Sequence, residues 1–194
     1  MVTHSIEAFL VSTGVVALAE IGDKTQLLAI VLAARFRKPV PIILGILVAT
    51  LANHAAAGAL GVWISSLVGP TGMRWALGLS FIAMAVWILI PDKYEEEKKT
   101  QSRLGVFGAT LVAFFLLEIG DKTQIATIAL AAKYNALFAV VLGTTLGMML
   151  ANVPAVYLGE IAAKRLNMRL VHTIAALIFL ILGVLILAGY GKLV

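Results

Sequence analysis

One seven-residue stretch rich in ionisable and amide side chains occurs twice in the chain. The sequence Glu-Ile-Gly-Asp-Lys-Thr-Gln fills residues 20–26 and again residues 118–124, 98 positions later. These stretches are called motif one and motif two, and both interrupt long apolar runs. Ionisable side chains are costly at membrane depth, and they persist where a protein interior or a wet cavity gives them partners. The two motifs are therefore the candidate functional site.

The carboxylates of the motifs predict a site for a hard divalent cation. On a continuous helix Glu20 and Asp23 lie three residues apart and share a face, and Glu118 and Asp121 repeat this spacing. Carboxylates gathered in a low dielectric repel one another and stay partly protonated unless a cation joins them. Oxygen ligands at this density suit Ca²⁺, Mg²⁺ or Mn²⁺. We therefore predict that the four acids line one cavity and bind a divalent ion.

Amide side chains could add neutral oxygen ligands. Gln26 and Gln124 follow one turn after the acids, and Asn53 and Asn152 lie in neighbouring apolar runs. The two asparagines are weaker candidates, because asparagine also forms hydrogen bonds between membrane helices. His54 is interpreted as a packed or hydrogen-bonded residue in preference to a ligand.

A structural role is the alternative for these charges. Glu20 and Lys24 have the spacing of a helical ion pair, and such a pair could fix helix packing. Two identical clusters favour function over packing. The two motif lysines could offset two of the four negative charges and leave two to match one divalent ion. Whether Lys24 and Lys122 are structural or take part in coupling stays open.

The composition indicates an all-α integral membrane protein. Of the 194 residues, 61% are hydrophobic and 13% are charged, whereas soluble domains carry about 25% charged residues. There is room for six spans of about 20 residues. Without cysteine, disulfides and thiolate metal sites are excluded. The net charge of +5 comes from loop residues and does not indicate nucleic-acid binding.

The duplication extends beyond the motifs to a three-span unit. Residues 1–90 are predicted to form a first three-helix repeat, residues 91–103 a charged cytoplasmic linker, and residues 104–194 a second repeat. Three spans are an odd number, so the halves form an inverted repeat with a site near the bilayer midplane. The spans are expected at about residues 6–34, 40–66, 73–90, 104–132, 136–161 and 170–190. Further matches join residues 33–36 with 131–134, 44–45 with 142–143, and 52–53 with 151–152.

Loop charges predict the orientation. Excess Lys and Arg mark cytoplasmic loops, so both termini are expected to face the periplasm. Ten of these residues fall on one predicted side and three on the other: Arg35, Arg37, Lys38, Lys93, Lys98, Lys99, Arg103, Lys164, Arg165 and Arg169 against Arg74, Lys133 and Lys192.

The doubled motif, the six predicted spans and the acidic-basic linker resemble the UPF0016 family, also called the GDT1 family. The resemblance covers nearly the whole chain, and the doubled motif is highly specific. It implies a secondary transporter that moves Mn²⁺ and Ca²⁺ in exchange for protons, with the motif acids as its site. For a bacterial inner-membrane member it implies manganese export. The expected partners are the metal ion, protons and the lipid bilayer, with no permanently bound cofactor; homo-oligomerisation is left open.

Three other functions compete with metal transport. A six-span exporter of the LysE type would move another small solute, but the doubled acidic motif favours a metal. An intramembrane lipid-phosphate enzyme would need Arg or a His–Ser pair, and no Arg lies near either motif, so we predict that the chain is not an enzyme. A metal sensor or scaffold would show no flux. The sequence does not rank Mn²⁺ against Ca²⁺ or give the proton stoichiometry.

Overall fold

The computed structural model describes residues 2–90, 105–158 and 168–189, and these residues form eight helices and no strand. The predicted all-α class is confirmed. The predicted linker at residues 91–103 lies outside the described residues, as do many of the loop cations on which the orientation rests. The helices are α1 (Val2–Glu20), α2 (Lys24–Phe36), α3 (Pro39–Leu67), α4 (Pro70–Ile88), α5 (Gly105–Glu118), α6 (Lys122–Tyr134), α7 (Leu137–Leu158) and α8 (Met168–Leu187).

Each motif breaks its helix, so the continuous helix on which Glu20 and Asp23 would share a face is not present. α1 ends at Glu20 and α2 begins at Lys24, with a bend of 70° between them. The third motif residue explains the break, because Gly22 has a φ of 83° and Gly120 has a φ of 76°. Glycine enters this left-handed region without the steric cost that a side chain would bring. Glu20 and Asp23 therefore flank a turn and do not share a helical face.

Membrane spans are supported for part of the chain. In the described ranges, two helical stretches, Pro39–Leu67 and Leu137–Tyr157, are long and apolar enough to cross a membrane. The bent pair Thr3–Glu20 and Lys24–Phe36 passes the same criteria as one broken span or a re-entrant loop. The stretches Gly105–Glu118 and Thr173–Leu187 are apolar but shorter. Six spans and an inverted orientation of the repeats stay predictions.

The two repeats interlock through their central helices. α3 of the first repeat packs on α5 and α6 of the second, and α7 of the second packs on α1 and α2 of the first. Glycines at matched positions allow the close approach. A Cβ on Gly45 would lie 2.9 Å from the Phe107 carbonyl oxygen on α5, and one on Gly143 would lie 2.5 Å from the Phe9 carbonyl oxygen on α1. Small residues serve this purpose between membrane helices. Each motif is thus held against the central helix of the other repeat.

Candidate metal centre

Three carboxylates from the two repeats converge at the helix breaks. Glu20, Glu118 and Asp121 each offer one oxygen, and these oxygens all lie within 4.8 Å of one another. All three side chains are buried, with 0%, 0% and 2% of their surface exposed. Two ligands that each lie about 2.1–2.6 Å from one ion are separated by at most about 5 Å. The spacing of these oxygens is therefore compatible with a shared ion.

The fourth predicted acid, Asp23, is held differently. Its Oδ1 atom lies 3.4 Å from Nζ of Lys122, and Lys24 Nζ lies 2.8 Å from Oδ1 of Asp121. The lysine of each motif thus pairs with the aspartate of the other motif. The structural alternative placed an ion pair between Glu20 and Lys24 inside one motif, whereas these two ion pairs run across the repeats. They fix the motifs against each other and offset the charge of both aspartates.

The two glutamates have only partial hydrogen-bonding. Thr25 donates a hydroxyl hydrogen bond of 2.5 Å to Glu20 Oε2, and the Thr123 hydroxyl lies 3.4 Å from Glu118 Oε2. The second oxygen of each glutamate, Oε1, is buried and has no hydrogen-bond partner among the described residues. A buried carboxylate oxygen without a donor is strongly disfavoured. The site as it stands therefore favours the arrival of a cation or a proton at Glu20 and Glu118.

Both motif glutamines close the helix break. The backbone N–H of Gly22 donates to Gln26 Oε1 at 2.9 Å, and the N–H of Gly120 donates to Gln124 Oε1 at 2.7 Å. The break removes these N–H groups from the helical ladder, and the amide oxygen replaces the lost carbonyl. Gln26 also donates from Nε2 to the Ala151 carbonyl on α7 at 3.0 Å. Sequence reasoning missed this structural role, although both copies place glutamine four residues after glycine. A ligand role for these glutamines stays a prediction.

The two asparagines have different surroundings. Asn53 Nδ2 donates to the Phe115 carbonyl oxygen on α5 at 3.1 Å, which is an interhelical hydrogen bond of the expected kind. Asn152 Nδ2 instead bonds within α7, to the carbonyl oxygen of Met148 at 3.1 Å. Its Oδ1 atom is buried without a hydrogen-bond partner in the part of the chain that the structure describes. The ligand role of Asn53 and Asn152 stays a prediction.

His54 is a site neighbour that sequence reasoning interpreted as packed or hydrogen-bonded. It is fully buried on α3, and its Nε2 atom lies 3.7 Å from Glu118 Oε2. Neither ring nitrogen has a hydrogen-bond partner within the described ranges. His54 is therefore packed, which is one of the two predicted alternatives, and it is not hydrogen-bonded within those ranges. Its position next to Asn53 could have indicated the site, because the repeat predicts that this part of α3 approaches the motifs.

Comparisons with known proteins give a family and a relative that match most of the chain. The family model described as "Divalent cation/proton antiporter GDT1" matches residues 8–96 and 106–192. The "Putative manganese exporter" of Vibrio cholerae serotype O1 is 51% identical over 181 residues, which cover 93% of this chain and 90% of that protein.

More distant relatives include plant and cyanobacterial proteins. The "GDT1-like protein sll0615" of Synechocystis is 30% identical over 92% of this chain and 96% of its own length. The "GDT1-like protein 3" of Oryza sativa subsp. indica is 29% identical over 90% of this chain and 71% of its own length. No solved structure matches the chain. The family match extends over both repeats, and the chain belongs to the divalent cation/proton antiporter GDT1 family.

Proposed function

We propose that this protein exports Mn²⁺ from the cytoplasm in exchange for protons, with Ca²⁺ as the alternative cargo. The observation that carries the proposal is the group of three buried carboxylates, drawn from both repeats, with oxygens within 4.8 Å of one another. The family description names divalent cations and protons, and the Vibrio cholerae relative is named for manganese export. The metal ion is cargo and the protein is a transporter, with no enzymatic activity and no resident cofactor.

The charges at the site match one divalent ion. Lys122 and Lys24 offset Asp23 and Asp121, respectively. Glu20 and Glu118 remain, and their Oε1 atoms, which have no hydrogen-bond partner among the described residues, favour a cation. Two glutamate charges are neutralised by one divalent ion, so neither aspartate has to release its lysine.

The same charges explain why metal and protons would exchange. Metal ligation needs deprotonated carboxylates. When the ion leaves, two glutamates with 0% of their surface exposed would remain charged in a poorly hydrated site, and a buried, uncompensated charge is strongly disfavoured. A proton then binds at one or more of the carboxylates, and the next metal ion must displace it. Protons that enter from outside would in this way drive the metal out of the cytoplasm.

The proposal places the protein in the inner membrane with both termini in the periplasm. The carboxylate group lies between the repeats, and transporters of this architecture expose such a site alternately to the two sides by rocking one repeat against the other. The ion pairs that cross the repeats, Lys24–Asp121 and Lys122–Asp23, connect the two parts that would move.

Flux into proteoliposomes tests the function directly. Purified protein is reconstituted with a metal-sensitive dye inside the vesicles, and Mn²⁺, Ca²⁺ and Mg²⁺ are added with and without an imposed proton gradient. We expect Mn²⁺ to enter the vesicles and protons to leave them. A proton gradient with the acidic side inside the vesicles should accelerate this Mn²⁺ entry. Protein-free vesicles and vesicles with the Glu20→Gln/Glu118→Gln protein are the controls. Metal flux that is indifferent to the gradient and moves no protons would refute proton antiport and leave a uniporter.

A further inference from the structure

The side chain of His54 lacks the hydrogen bonds that a buried imidazole normally makes. It has 0% of its surface exposed, and both Nδ1 and Nε2 are without a hydrogen-bond partner in the described ranges. Buried side-chain nitrogens are nearly always bonded, and an exception calls for an explanation such as an ion that belongs at the site. The carboxylate of Glu118 lies next to the ring, with Oε2 at 3.7 Å from Nε2.

His54 is aimed at the carboxylate group by the helix that carries it. α3 packs on α5 and α6, the two helices that flank motif two. The neighbouring residue Asn53 ties α3 to α5 through the Phe115 carbonyl oxygen. Glu118 belongs to the group of three acids whose oxygens lie within 4.8 Å of one another. His54 is not a member of that group, but its Nε2 atom lies beside one member, at 3.7 Å from Glu118 Oε2.

We infer that His54 binds the transported ion through Nε2 and favours Mn²⁺ over Ca²⁺, an inference that depends on the proposed function. Two donor atoms 3.7 Å apart fit on one ion whose ligands each lie about 2.1–2.4 Å away. Ca²⁺ takes oxygen ligands, whereas imidazole is a good ligand for transition-metal ions. Carboxylates alone accept either ion. One nitrogen added to them discriminates in favour of the transition metal.

The repeat shows that this nitrogen is present on one side only. The match of residues 52–53 with 151–152 makes Val153 the equivalent of His54 in the second repeat. Valine has no atom that could bind a metal ion. The two motifs are identical, so they contribute the same ligand types from both repeats. The preference between metals therefore comes from α3 and not from the motifs.

An ion pair between a protonated His54 and Glu118 is the competing account. The separation of 3.7 Å is longer than a hydrogen bond, which argues against a direct ion pair, whereas Nδ1 has no hydrogen-bond partner among the described residues under either account. The two accounts differ in a measurable way. A metal ligand transfers electron spin density from Mn²⁺ to its nitrogen, and an ion-paired histidine outside the coordination sphere does not.

Pulsed electron paramagnetic resonance on Mn²⁺ bound to the purified full-length protein distinguishes the two accounts. We expect nitrogen modulation from a directly bound ¹⁴N that changes to the ¹⁵N pattern when the unmodified protein carries ¹⁵N-labelled histidine. The modulation should vanish in His54→Gln and persist in His4→Gln, a matched control whose ring contacts the Tyr134 carbonyl oxygen at 3.1 Å. The labelling arm shows whether a histidine binds Mn²⁺ even if His54→Gln fails to fold, and modulation that persists in both His4→Gln and His172→Gln then leaves His54 as the ligand.

Transport gives the second measurement. Replacing the nitrogen by an amide oxygen in His54→Gln should lower the ratio of Mn²⁺ to Ca²⁺ transport about tenfold, in the range seen when residues that orient metal ligands are changed. Mn²⁺ that binds and is transported without directly bound nitrogen would overturn the His54 inference and leave the proposed function intact. An unchanged ratio in His54→Gln would also overturn it. A wild-type protein that neither binds nor moves Mn²⁺ would overturn both.

Discussion

The two ion pairs that cross the repeats use the same residue types but have different surroundings. Lys24 and Asp121 are 2.8 Å apart, and 21% of the lysine side chain is exposed. Lys122 and Asp23 are 3.4 Å apart, and only 3% of this lysine is exposed. Because the motifs are identical, the sequence alone predicts equal effects when either lysine is removed. The structure predicts that Lys122→Met destabilises the protein more than Lys24→Met.

The sizes of the two energies show whether the distance between the charges or their burial controls the loss of stability. At an effective dielectric constant of about 20, the Coulomb attraction is about 6 kcal/mol at 2.8 Å and about 5 kcal/mol at 3.4 Å. Distance alone thus favours the Lys24 pair by about 1 kcal/mol. Removing one partner of a buried pair costs about 3–5 kcal/mol because the other charge stays buried. Water can reach Asp121 through the partly exposed position of Lys24, but it can hardly reach Asp23 through the buried position of Lys122. We therefore expect the free energy of unfolding to fall by about 3–5 kcal/mol in Lys122→Met and by about 1–2 kcal/mol in Lys24→Met.

Reversible unfolding in mixed micelles, without added metal, measures this difference. The three native tryptophans report the transition by fluorescence. A double-mutant cycle of Lys122→Met with Asp23→Asn isolates the pair from the other contacts of both residues, and the same cycle on Lys24 and Asp121 is the matched control. Equal losses for the two lysines, or a larger loss for Lys24→Met, would show that burial does not control these pairs.

Three further outcomes follow from the same geometry. Glu20→Gln and Glu118→Gln should each remove most Mn²⁺ transport, while Glu7→Gln on the exposed part of α1 should not; near-normal flux in either of the first two would confine the site to one repeat. Gly61→Ala should lower the free energy of unfolding by about 1–3 kcal/mol, because its Cβ would overlap the backbone of α6. Gly14→Ala, which meets nothing within 4 Å, should not, and equal losses would contradict the packing. The chain has no cysteine, so a single cysteine added at either end can be labelled selectively. It should react with a membrane-impermeant maleimide in the periplasm, and protection from the reagent would contradict the predicted periplasmic location of that end.

The residue types predicted the all-α class and the family, but not the local backbone. The all-α class and the family follow from the apolar composition and the doubled motif, which need no tertiary information. The break between Glu20 and Lys24 was missed because long apolar flanks suggest one helix. The glycine with a carboxamide four residues later was the local indication of a turn. The hydrogen bond from Gly22 to Gln26 was missed for the same reason, since a helix that is assumed continuous leaves no backbone N–H for Gln26 to bind.

Contacts between the repeats were beyond sequence reasoning for a different reason. The pairing of Lys24 with Asp121, in place of Glu20, depends on how two distant segments approach each other. Periodicity within one helix carries no information about that approach. The turn also changes which acids can meet: it places Glu20 with Glu118 and Asp121, and it leaves Asp23 beside Lys122.

The two motifs have the same sequence but different surroundings. In the proposed mechanism the shared sequence provides the charges that bind the ion, and the different surroundings provide the preference between ions. Two copies of one acidic motif supply equal charges from both repeats, and equal charges suit a site that must face either side of the membrane in turn. The side chains of the motif acids supply only oxygen ligands, which both Mn²⁺ and Ca²⁺ accept. A nitrogen ligand adds a preference for Mn²⁺, and the duplication does not repeat it: His54 lies beside Glu118, whereas Val153 stands at the equivalent position of the second repeat. Replacing the imidazole in His54→Gln therefore tests the preference for Mn²⁺ over Ca²⁺ separately from the carboxylates that are proposed to bind the ion.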